Sequence, residues 1–70
     1  MSETRQELLR LIAELSQADS ELRLGQMITN LSTMARGPQT ESAWDCEDDE
    51  LVAAAKRLLT VLQERRSAAV

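Results

Sequence analysis

The densest chemistry in the sequence lies between Asp45 and Glu50. Asp45, Glu47, Asp48, Asp49 and Glu50 surround the single thiol, Cys46. Carboxylates at this density invite a divalent-cation reading. A calcium loop, however, alternates its oxygen ligands, turns on a glycine and closes with a bidentate acid, and none of that spacing occurs here. The run directly precedes an apolar helical stripe, where acids favour the positive end of the helix dipole. The dipole accounts for Asp48, Asp49 and Glu50 without a metal, and a basic partner is a second way to use them. Cys46 would need a base held against it to act as a nucleophile, and the chain has no His. Neighbouring carboxylates disfavour a thiolate, so a passive thiol is expected, one able to cross-link two chains on storage.

A second group of residues is spaced for a helix face. Gly25, Thr29, Ser32 and Arg36 follow at intervals of four, three and four, on one ridge. Glycine inside a helix costs ~1 kcal/mol relative to alanine, so the ridge needs a reason. Its small side chains would let another helix come close. Tight packing within one subunit and a contact between two chains both fit. Gln26 and Asn30, also four apart, lie nearer the opposite flank. They could bond one another, a neighbouring backbone or a partner, with solvated surface as the default. Trp44, the only aromatic, is expected to cover one end of the core from a loop, with an exposed binding anchor as the alternative.

These residues must be positioned by helices, and the periodicity predicts three. Leu8, Leu11, Ile12 and Leu15 recur at i, i+3, i+4 and i+7 behind Thr4-Arg5-Gln6-Glu7, which fits a capping box; the first helix is placed at about residues 4–17. Asp19 and Ser20 offer cap oxygens to a second stripe, Leu24, Met27, Ile28, Leu31, Met34 and Ala35. Gly37-Pro38 stops it, giving a helix over about 20–36. The short link favours antiparallel neighbours. Residues 37–46 carry no period and read as a loop. Leu51, Val52, Ala55, Leu58, Leu59 and Leu62 then mark a third helix at about 47–66, with acids at its start and Arg65 and Arg66 near its end. Residues 67–70 are expected to fray. The apolar face of this third helix, widened by Ala54 and Val61, covers close to half its circumference. That exceeds what one helix of a three-helix unit needs, so part of it is expected to pack on a second chain.

Size and composition bound the rest. The 70 residues weigh 7.8 kDa, 43% of them are apolar and 29% charged, which suits one globular domain. No apolar run approaches the ~18–20 residues of a membrane span, and the N-terminus does not read as a secretory signal. Eight Lys and Arg against 12 Asp and Glu leave a net charge of −4. The cations are scattered, whereas nucleic-acid affinity comes from clustered ones. The connection before the third helix is too long and acidic for a helix-turn-helix. Small chains often need disulfides, metals or self-association. One Cys and no His leave self-association or very efficient helix packing, and the lone thiol fits a reducing, cytoplasmic setting.

The expected fold is therefore all-α, a single three-helix domain over 1–70 that associates as a homodimer. The expected role is that of a non-enzymatic protein–protein interaction module or small regulator, with no cofactor and no metal. An immunity- or antitoxin-like protein that masks a basic partner is one specific version; a nucleic-acid-associated regulator is the alternative. The candidate interaction residues are Gly25, Gln26, Thr29, Asn30, Ser32, Trp44, Asp48, Asp49 and Glu50.

Two blocks carry a resemblance. Leu22-Arg23-Leu24-Gly25-Gln26-Met27-Ile28-Thr29-Asn30, followed by Trp44-Asp45-Cys46-Glu47-Asp48-Asp49-Glu50-Leu51, resembles a family of short bacterial and phage-encoded helical proteins. These pair an Arg-(Phe/Leu)-Gly-Gln block, with Asn four residues after the Gln, to a later acidic helix start. Leu24 stands where Phe is expected and Cys46 where an aliphatic residue is. The resemblance brings no activity with it, so no functional role is carried over. It does imply that Gly25, Gln26 and Asn30 are the first residues to test.

Overall fold

The computed structural model describes residues 2–39 and 41–68, the last three by backbone alone. The described residues form four helices and no strand: α1 (Glu3–Ala18), α2 (Leu24–Arg36), α3 (Ser42–Asp45) and α4 (Asp48–Ala68). The all-α expectation holds, and the three long helices are those the periodicity marks. The fourth, α3, falls inside the segment expected to be loop.

The helix ends differ from expectation for local reasons. Ser2, not Thr4, caps α1, its Oγ accepting from the Arg5 N–H at 3.1 Å. Both residues suit the position, but the earlier start adds backbone bonds such as Gln6 N–H to Ser2 O at 3.0 Å. Asp19 closes α1 instead of opening α2, its N–H bonding Leu15 O at 2.9 Å. The chain then turns, with Leu22 N–H on Asp19 O at 3.3 Å, and Leu22 packs against the core cluster. That inward leucine delays α2 to Leu24. Gln26 Oε1 accepts the Arg23 N–H at 3.0 Å, which is the reciprocal half of a capping box; arginine has no acceptor with which to supply the other half. At the C-terminal end of the chain α4 continues to Ala68, so Ser67 and Ala68 are helical rather than frayed. Ala69 and Val70 lie outside the described residues.

Gly37 ends α2 with φ 104°, and its N–H bonds Thr33 O at 2.8 Å. Arg57 Nη2 donates to Met34 O at 3.1 Å, satisfying a carbonyl that the last turn would otherwise leave open. Ser42 Oγ donates back to Gly37 O at 2.8 Å, which folds the connection against α2 as the single turn α3.

Cross-helix contacts set the topology. Arg5 meets Asp48 at one end of the molecule, and Ala18 lies alongside Leu62 at the other, so α1 and α4 run parallel. Arg36 meets Glu50, and Asn30 lies alongside Leu62 and Arg65, so α2 runs antiparallel to both. The result is an up-down-up bundle in which α1 and α2 both pack on α4. Leu15, Met27, Leu31, Ala54 and Ala55 form the buried centre. Two adjacent alanines on α4 let its neighbours come close. The wide apolar face of α4 serves two helices at once, and its Leu58, Leu59 and Leu62 remain only partly buried. Val61 alone of that face is clearly outward, at 39% exposure.

Candidate functional site

The residues singled out by sequence fall at two opposite poles. At the first, the starts of α1 and α4 meet α3. Trp44 does not cover the core as expected; it is 84% exposed. The cause is the one-turn helix beneath it. Ser42 is buried toward Gly37, and a residue two positions on lies roughly 200° around the helix, so Trp44 faces outward. It shares an open hollow with Ser2, Thr4, Arg5, Asp45 and Asp49.

The acidic run ties helices together as well as sitting at the α4 dipole. Asp48 Oδ2 accepts from Arg5 Nε at 2.7 Å. Glu50 takes both Nε and Nη2 of Arg36 at 2.7 Å each, a bidentate pair of favourable geometry. Arg36 holds the Glu50 carboxyl below the ordinary carboxylate range, chiefly through that hydrogen bond. Asp49 Oδ1 accepts the Glu50 N–H at 2.9 Å. Among the described residues, Asp45, Glu47 and Asp49 take part in no ion pair.

Cys46 is half-buried, its Sγ 4.0 Å from Ser32 O. Burial pushes its thiol up, Glu50 and Asp45 add to the shift, and Arg36 opposes it. Among the described residues no three His, Cys, Asp or Glu side chains gather as a metal site.

The small-residue ridge divides along its length. Ser32 is buried and donates to Thr29 O at 2.9 Å, while Arg36 is engaged with Glu50. Gly25 and Thr29 are exposed, and a Cβ on Gly25 would meet nothing within 4 Å. Tight packing within the subunit is therefore not realised at the Gly25 end. Gly25 also sits in the first turn of α2 and not in its interior, because α2 starts at Leu24. Gln26 is spent on the cap, and Asn30 is exposed. Gly25, Gln26, Thr29 and Asn30 share an open hollow with Leu22.

That hollow leads to a cleft at the second pole whose Asp19, Leu22 and Arg65 lay outside the sequence candidates, although Asn30 was among them. The cleft, of about 190 Å³, lies between the end of α1, the start of α2 and the later turns of α4. Leu22, Leu58 and Leu62 line it, with Asp19, Asn30 and Arg65 among its polar residues. One signal in the sequence pointed there: Asp19 places an acid at a helix C-terminus, against the dipole, in a helix with no basic residue in its last turn.

No protein-family model, curated protein or solved structure matches the chain.

Proposed function

We propose that the chain is a non-enzymatic helical module that binds another protein and assembles as a homodimer, in a cytoplasmic setting. The observation that carries this reading is Trp44, the one aromatic side chain, held 84% exposed on a one-turn helix. Tryptophan is enriched among the residues that dominate interface energetics, and leaving its ring in water forgoes apolar burial that folding could have used. The short bacterial and phage-encoded proteins that the Leu22–Asn30 and Trp44–Leu51 blocks resemble are its proposed relatives.

The acidic surface plays a smaller part than composition suggests. Asp48 and Glu50 already hold Arg5 and Arg36, so a basic partner would have to displace those arginines. An immunity- or antitoxin-like version of the function would draw instead on Asp45, Glu47 and Asp49 around the indole. Half of the cations offer the nucleic-acid alternative little: Arg5, Arg36 and Lys56 are in ion pairs, and Arg57 is bonded to a helix carbonyl.

Trp44 being the only tryptophan, its emission reports on this pole alone. A partner isolated from the native host should shift that emission to the blue, and Trp44→Ala should weaken binding by at least about thirtyfold. Helix content should be unchanged, since the ring packs on little. A partner that binds the variant as tightly as the parent, with no emission shift, would remove Trp44 from the interface. Retention on DNA or RNA that falls steeply with salt would favour the regulator alternative.

A further inference from the structure

The chain exposes more surface than its mass requires. A compact monomer of 7.8 kDa should present about 4400 Å², whereas this one presents 5096 Å². The molecule is also flat, 38 × 27 × 18 Å in its principal extents. Among the described residues the large side chains that are fully buried are Leu15, Met27 and Leu31. Leu22, Leu58 and Leu62 are half-covered and line the cleft at the second pole. Val61, 39% exposed, lies on α4 three residues from Leu58 and four from Arg65, the spacing of helix-surface neighbours.

The charges at this pole match themselves. Asp19 and Arg65 line the same cleft, yet neither takes part in an ion pair among the described residues. A two-fold axis brings a patch against its own copy, so each residue of an unlike pair meets the other's counterpart twice. We propose that a second copy of this chain docks on the cleft formed by Leu22, Leu58 and Leu62, with Asp19 of each subunit paired to Arg65 of the partner subunit. The pairing also answers the misplaced acid, since a cation brought to the α1 C-terminus offsets the unfavourable dipole there. This inference rests on the homodimer reading above and names the face that reading uses.

A charge exchange tests it. The parent chain should sediment at twice 7.8 kDa. Asp19→Arg and Arg65→Asp should each weaken the dimer roughly tenfold or more, because each sets like charges opposite one another at two contacts. Mixing the two variants in equal amounts should restore the dimer as a heterodimer, since every mixed contact again joins unlike charges. No contact within a single chain can produce that rescue. Neither change should unfold the chain: a cation at the end of α1 suits the dipole and Arg65 is exposed, which circular dichroism checks. A parent chain that stays monomeric at high micromolar concentration would overturn the homodimer itself. A parent dimer indifferent to both substitutions would leave the homodimer standing and overturn this face.

Discussion

Gly25 stands out in the sequence as a glycine inside a helix, and the structure places it in the first turn of α2 with nothing of its own chain packed on it. Its neighbour Gln26 reaches back to the Arg23 N–H, which fixes Gly25 as the second residue of α2. Its φ is not positive, and a Cβ would meet nothing within 4 Å. Alanine should therefore fit, and by restricting the unfolded chain it should stabilise the fold by about 0.4–1 kcal/mol. A urea midpoint measures this; a fall would mean that something packs on the glycine in solution. The spacing of Gln26 and Asn30 was legible, but the cap was not, because arginine is a poor signal for an N-cap. Trp44 was harder still. Its orientation depends on Ser42 bonding Gly37 O, and a four-residue helix leaves no periodicity from which to infer a face.

The long helices were legible because their apolar spacing covers several turns, and each matches within a few residues at its ends. The exception is the start of α2, where Asp19 and Ser20 are good cap residues that the inward turn of Leu22 overrides. The wide face of α4 was also legible, though its two-sided use within one chain was not: a single helix pattern does not say how many neighbours share it. Between α2 and α4, the Arg36–Glu50 pair is the main polar tie. Since Arg36 depresses the Glu50 carboxyl, the native chain binds that proton less readily than the unfolded chain does. The pair's contribution is thus present above the ordinary carboxylate range and is lost as pH falls through the depressed value. Glu50→Gln should lower stability at neutral pH, and the gap between parent and variant should close on acidification. Denaturation midpoints taken from about pH 7 down to about pH 3 will show it; a gap that widens in acid would contradict the pairing.

For the molecule as a whole, the decisive property is thinness. A flat bundle with so few fully buried large side chains among its described residues would gain stability from the proposed second copy. Mass action then makes the melting temperature rise with chain concentration. Calorimetry across about a hundredfold range should show an upward drift, and a constant value would argue that folding and association are uncoupled. The parallel course of α1 and α4 has a practical consequence for such experiments. Ser2 borders the indole's hollow, while Arg65, near the other extremity, lines the cleft. A fluorescent label or purification handle fused ahead of Ser2 would crowd the tryptophan and spare self-assembly. The same handle carried behind α4 would do the reverse, so swapping it from one extremity to the other tests the proposed partner contact and the proposed self-contact separately, without altering a single native side chain.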